Sequence, residues 1–266
     1  MLMTASAPER RGGAARLKAI ARSGRNAVSR ALRLEERKRF RGSFASHADA
    51  LAAIGPRRLA GYDHDELADV SYEEMCKVHL WDYPVIHWLA KVLDGQANLI
   101  DAGGHMGTKF RAFARFIDLP DSFNWAVLDV RAIVRAGRDR ASRDGLNSLS
   151  FHDETATLPT SDVLLASGLF QYLDASPSQF IAGLPRMPRH FIINKVATRE
   201  GESVVTLERF PQAEVPYQVR SRVDFEADLA SAGYVIRDQW DIPSYSRHHA
   251  AFGFATSRGY YAELAG

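Results

Sequence analysis

The sequence predicts an α/β fold, a parallel sheet covered by helices on both faces and preceded by a helical extension. Three observations predict it. From residue 96 onward, short apolar runs alternate with stretches whose apolar residues recur at helical spacing, the rhythm of β-α-β units. A glycine-rich turn after the first run joins a strand to a helix. The chain also has 266 residues, 46% hydrophobic and 25% charged, enough to bury a sizeable core.

The elements follow in order. Residues 1–41 read as a basic arm holding twelve of the 34 lysines and arginines and only three acids (Glu9, Glu35, Glu36). Its apolar residues Leu17, Ile20, Ala27, Val28, Ala31 and Leu32 recur at rough helical spacing, so the arm is a candidate amphipathic helix for peripheral contact with an anionic membrane surface. A solvated extension is the plainer reading. From Gly42 onward the balance is 22 basic against 29 acidic residues, a body of net −7 that should repel nucleic acid. Residues 42–95 read as a helical cap, with helices over Phe44 to Ile54 and Ser71 to Leu93. Pro84 suits a helix start and Asp94-Gly95 a stop.

The domain proper spans 96–266. Strands are expected at Asn98–Asp101, Trp125–Val130, Leu149–His152, Asp162–Ala166 and His190–Val196. Helices are expected over Lys109–Ile117, Arg131–Arg143 and Ser176–Leu184. Tyr234–Trp240 and Ala251–Ala255 read as two strands without a helix between them, an antiparallel pair closing the sheet. No apolar run reaches the roughly 18–20 residues that span a bilayer, and the N-terminal stretch lacks the apolar core of a secretory signal. A cytoplasmic protein is expected, reaching the inner face of the membrane if the arm attaches there. The single cysteine, Cys76, makes no intramolecular disulfide, and the histidines and carboxylates show no ligand spacing, so no bound metal is expected.

The most informative segment is Asp101-Ala102-Gly103-Gly104-His105-Met106-Gly107-Thr108. Glycines at a strand end let a ligand approach the backbone, and Gly107 allows tight helix packing. Dinucleotides and S-adenosylmethionine both use such turns. Ala102 replaces the first glycine of the dinucleotide pattern, whereas Asp101 suits a cofactor carrying an ammonium and a sulfonium. Asp129, closing the second strand beside Val130, is placed to accept hydrogen bonds from ribose hydroxyls; a helix cap is its alternative use. Asp153 is the candidate for the adenine amino group. After the fourth strand, Ser167 and Gly168 lie at the crevice, with Gln171 and Tyr172 facing cofactor or acceptor. Leu169, Phe170 and Leu173 read as core.

These residues resemble the class I S-adenosylmethionine-dependent methyltransferases, and more narrowly a bacterial methyltransferase family associated with surface-polysaccharide biosynthesis. The stretches that carry the resemblance are Phe40–Ser46, Tyr83–Leu89, Asp101–Thr108, Ser167–Leu173, Val215–Tyr217 and Gly233-Tyr234. It implies a Rossmann-like seven-stranded sheet with a reversed last strand, and cofactor contacts at Asp101, Gly103, Gly104, Asp129, Ser167 and Gly168. The expected activity is methyl transfer to a small polar acceptor, with oxygen of a sugar or glycan intermediate as the target. The alternatives are an NAD(P)-dependent oxidoreductase and a methyltransferase-like binding module without turnover. An alcohol acceptor needs a general base, for which His105, His248 and His249 are candidates and His152 a further one. Lys195 and Tyr217 are candidate acceptor contacts, and Tyr83, His87 and Trp88 a candidate cap over the pocket. Oligomeric state leaves no mark on the sequence.

Overall fold

The computed structural model describes residues 39–249 and 251–266. The predicted basic arm therefore lies outside the described residues, except that Arg39 to Arg41 enter the fold. Strand β1 (Phe40–Phe44) is followed by helix α1 (His47–Ala52), β2 (Leu59–Ala60), the short helices α2 (Asp65–Ala68) and α3 (Tyr72–Met75), and α4 (Tyr83–Val92). The predicted all-helical cap of 42–95 thus needs correction. Its first residues add a strand to a sheet, and two of its helices are single turns too short for apolar periodicity to reveal.

The α/β body follows: β3 (Asn98–Ala102), α5 (Thr108–Phe113), β4 (Asn124–Leu128), α6 (Arg131–Arg143), β5 (Leu149–His152), β6 (Val163–Ser167), α7 (Pro177–Ala182) and β7 (His190–Arg199). The chain continues with β8 (Val204–Arg209), β9 (Ala213–Ser221), α8 (Arg222–Ser231), β10 (Tyr234–His249) and β11 (Gly253–Leu264). β5, β4, β3, β6 and β7 are parallel neighbours in that order. β11 then runs antiparallel between β7 and β10, so the expected antiparallel pair closes the sheet. Four strands lie beyond this seven-strand path. β8 and β9 form a hairpin with β1 on its edge, and β9 joins the end of β7 at Thr198↔Arg220 and Arg199↔Ser221.

Alternating strand residues build the two faces. Leu99, Trp125, Val127, Val163, Leu165 and Ile192 pack under α4, α5 and α6, through Val85, Leu89, Phe113 and Val134. Ile100, Ala126, Leu164, Ala166, Phe191 and Ile193 face the other way, onto α7 and α8 through Ile181, Phe225 and Leu229. With both faces covered, the carboxyl ends of the strands are where ligands of such sheets bind, at the point where strand order reverses. Here that point lies between β3 and β6.

Candidate active site

β3 runs into the glycine turn, and the Asp101 side chain is completely buried beneath it. Its Oδ2 accepts from Trp125 Nε1 at 2.8 Å, while Oδ1 meets no partner. A Cβ at Gly104 would sit 2.6 Å from the carboxyl carbon, so glycine there lets the carboxyl tuck under the turn. Burial pushes the carboxyl up to about 7, against the Trp125 hydrogen bond and the charge of Lys109. Side chains at Gly103 and Gly107 would strike Leu169 and Leu149. These three glycines are required by the chain's own packing.

His105 holds φ at +55° without being glycine, a strain of about 1–2 kcal/mol. Its backbone N–H donates to Asp129 Oδ2 at 2.8 Å. Burial drives its imidazole down to about 4, so at neutral pH the ring is uncharged and a poor base. Asp129 Oδ1 accepts from the Val130 N–H at 2.8 Å, leaving each carboxylate oxygen one further lone pair for a ligand. Burial pushes this carboxyl up to about 6. The cap of α6 comes from elsewhere: Asp63 Oδ1 accepts from the Ala132 N–H at 2.8 Å. Asp153 is exposed at the end of β5, 3.4 Å from Arg131.

The cap segment crosses this end of the sheet. Tyr72 packs with Met106 and Ile133, and with Val130 beside them. Arg140 lies 3.8 Å from the Tyr72 ring centroid, and Arg135 pairs with Asp65 at 2.7 Å. Tyr62 meets Tyr172 edge-on at 4.9 Å.

Beyond β6, Ser167 Oγ and Gln171 Oε1 are buried without partners. Tyr172 donates to Glu208 Oε2 at 2.6 Å, and buried Tyr217 packs edge-on against Phe40 and Tyr172. Both tyrosines, the candidate acceptor contacts, belong to an aromatic wall. The predicted cap residues also lie elsewhere. Trp88 stacks on Tyr261 at 3.9 Å, and Tyr83 and His87 are exposed. His248 and His249 end β10, where His249 stacks on Phe252; they do not line the cavity beside the glycine turn. His152 is held by Thr157 and Ser150.

Lys195 lies inside β7, within the expected strand His190–Val196. Pairing steps from Tyr260↔Ile193 to Arg258↔Val196, so Asn194 and Lys195 together oppose Gly259 in a bulge, with Lys195 at φ +59°. Trp240 Nε1 donates to Asn194 Oδ1 at 3.1 Å. Asn194 Nδ2 and Lys109 Nζ donate to the fully buried Asp82 Oδ1 at 3.4 and 3.1 Å. Lys109 and Lys195 line a cavity of about 330 Å³, walled further by Trp81, Tyr245 and Glu208. Asn194 was expected beside Lys195, whereas Asp82, Lys109 and Trp81 were not expected at a site. The available signal was a buried-type charge: Lys109 stands one residue past the glycine turn, on a helix face that is otherwise apolar.

Among the described residues, no group of three or more His, Cys, Asp or Glu side chains is placed to hold a metal ion, and no helix is long and apolar enough to cross a membrane.

No family model matches the chain, and no curated protein does. Among solved structures, it is similar to the N-terminal domain of EvdMO1 with S-adenosylhomocysteine bound, at 14% identity, covering 68% of this chain and 80% of that one, with a TM-score of 0.49. It is also similar to the 1,6-didemethyltoxoflavin-N1-methyltransferase of Burkholderia thailandensis, at 16% identity, covering 76% and 87%, with a TM-score of 0.48. A third likeness is to an S-adenosylmethionine-dependent methyltransferase from Clostridium acetobutylicum, at 15% identity, covering 77% and 96%, with a TM-score of 0.44. Likenesses at this identity concern the path of the chain, not its residues or chemistry.

Proposed function

We propose that this protein is an S-adenosylmethionine-dependent methyltransferase that methylates a hydroxyl of a small polar acceptor, a sugar or glycan intermediate. One observation carries the reading. Five buried polar atoms without partners come from the ends of β3 and β6 and the segments that follow them, on either side of the point where strand order reverses: Asp101 Oδ1, His105 Nδ1, Thr108 Oγ1, Ser167 Oγ and Gln171 Oε1. Buried polar groups are almost always hydrogen-bonded, so a cluster of unsatisfied ones at a ligand crevice suits a polar ligand. The reversed β11 sets the sheet apart from the all-parallel order of dinucleotide folds, which disfavours the oxidoreductase alternative.

The donor set fits this cofactor. Asp101 offers a negative charge to a cationic ligand, Ser167 and the backbone at Gly103 and Gly168 line the same edge, and Asp129 keeps lone pairs for ribose hydroxyls. Bound there, S-adenosylmethionine supplies a methyl group already activated on a sulfonium. The chain's task is then to align the acceptor, exclude water and remove its proton. The 330 Å³ cavity beside the turn has the size and polarity for one sugar ring.

Calorimetric titration tests the reading. S-adenosylhomocysteine should bind and NAD(P)H should not; the reverse result overturns it. Asp129→Ala should weaken cofactor binding by about 1.5–3 kcal/mol, as for a hydrogen bond to a charged group. An unchanged affinity in that variant removes Asp129 from the site. Cofactor binding with no labelled-methyl transfer to any glycan intermediate would leave a binding module.

A further inference from the structure

We infer that Lys195 is the general base of this site, taking the proton of an acceptor hydroxyl held in the 330 Å³ cavity; the inference rests on the methyl-transfer reading above. Bulges re-aim side chains beside active sites, and this one holds a lysine in a left-handed conformation that lysine rarely adopts. The re-aimed side chain crosses the loop after β6, its Nζ 3.6 Å from where a Cβ on Gly168 would lie. The amine therefore reaches from β7 to the edge that carries the unpartnered Ser167 Oγ.

Residue choice points the same way. Only six of the 34 basic residues are lysine, yet two of those six, Lys109 and Lys195, line this one cavity. Arginine cannot give up its proton in a protein, whereas a recessed lysine can. The two lysines divide the work. Lys109 is bound to Asp82, while Lys195 makes no ion pair among the described residues. Burial, reinforced by the charge of Lys109, holds the Lys195 amine down at about 7, against the pull of Asp82 and Asp101.

The cavity's other titratable groups are Arg39, Glu74, His79, Glu208, Arg209 and Tyr245. Glu208 is engaged by Arg39 and by the Tyr172 hydroxyl, and Glu74 by Lys77. His79 stacks on Trp81 with Nε2 3.3 Å from the Glu74 carbonyl. Burial raises the Tyr245 phenol, which suits a donor better than a base. That leaves the Lys195 amine. In the transfer, the acceptor hydroxyl passes its proton to Nζ as its oxygen forms the new O–C bond. The methyl C–S bond breaks with its electron pair going to sulfur, and Nζ ends as an ammonium.

Two measurements on the full chain test this without knowing the acceptor. With ε-¹³C-lysine labelling, one of six lysine signals, identified by its loss in Lys195→Met, should titrate near 7. Titration above about 9.5, close to the value of an ordinary lysine, overturns the inference. Calorimetry of S-adenosylmethionine against S-adenosylhomocysteine from pH 6 to 8.5 is the second. A protonated Lys195 repels the sulfonium, so the affinity ratio should fall by up to about tenfold per pH unit below 7, and Lys195→Met should flatten most of that fall. The same fall in both proteins assigns it to Asp101 and overturns the inference. Lys195→Asn, whose side chain tolerates positive φ, repeats the comparison if the Met variant unfolds. No binding of S-adenosylhomocysteine to the wild type at any pH would defeat the methyl-transfer reading itself.

Discussion

At Asp101 the chain buries a carboxyl group with one oxygen on Trp125 Nε1 and the other on nothing. Such a group destabilises the cofactor-free fold when ionised, because its charge loses more hydration than one hydrogen bond returns. The folded value of about 7 stands above that of an ordinary aspartate, about 3.9, so the folded state binds the extra proton. Stability from this group is lost as pH rises from about 4 to about 7 and is level beyond that. Asp101→Asn should therefore raise the melting temperature of the cofactor-free protein relative to wild type, with a gap that grows between pH 4 and 7. The same substitution should weaken binding of S-adenosylmethionine more than that of the uncharged S-adenosylhomocysteine. A melting-temperature gap that is constant across pH would show that Asp101 ionises freely. His105 acts with the opposite sign: its value, lowered to about 4, makes the fold less stable as pH falls from 6.5 toward 4.

At the scale of elements, the bulge in β7 is built across two strands. Gly259 on β11 faces it, and a Cβ there would lie 2.1 Å from the Trp240 ring, whose Nε1 orients Asn194 beside Lys195. Gly259→Ala should destabilise the protein by about 1–3 kcal/mol, the usual result of forcing atoms into a filled core, read as a lower urea midpoint. Displacement of Trp240 should also alter the Lys195 titration; an unchanged midpoint would mean that the ring yields freely. This device could not be read locally. The central strands were legible because each is a short apolar run buried on both faces, as in Val163-Leu164-Leu165-Ala166. The β8–β9 hairpin was not, although it is nearly as buried. Its Glu208, Glu214 and Arg220 are buried with partners: Arg39 and Tyr172, Arg41 and Arg209, and backbone carbonyls, and Pro216 stands within β9, where a proline argues against a strand. Charge that is satisfied only by distant residues looks like surface when each strand is read alone. For the same reason the glycine turn and Asp129 stood out from their local pattern, while Asp82 and the bulged position of Lys195 did not.

At the scale of the whole molecule, the chain's own N-terminal segment closes the crevice that its α/β body opens. Residues 61–76 lie over the glycine turn and the start of α6, held by Asp63 at the α6 cap, by Asp65 on Arg135, and by Tyr72 between Met106 and Arg140. These ties are one exposed ion pair, worth about 1 kcal/mol or less, one hydrogen bond and one packed ring, whereas the sheet beneath is apolar and continuous. The cover is thus the weaker of the two layers and the one expected to move when a ligand enters. Asp63→Ala removes the only side-chain cap of α6 among the described residues and should cost about 1 kcal/mol. Because that tie holds the cover down, the variant should bind S-adenosylhomocysteine and release it faster in stopped-flow measurements, with a smaller change in the equilibrium constant. Rates equal to those of the wild type would mean that the ligand enters from the side of the Lys195 cavity, with the cover left in place.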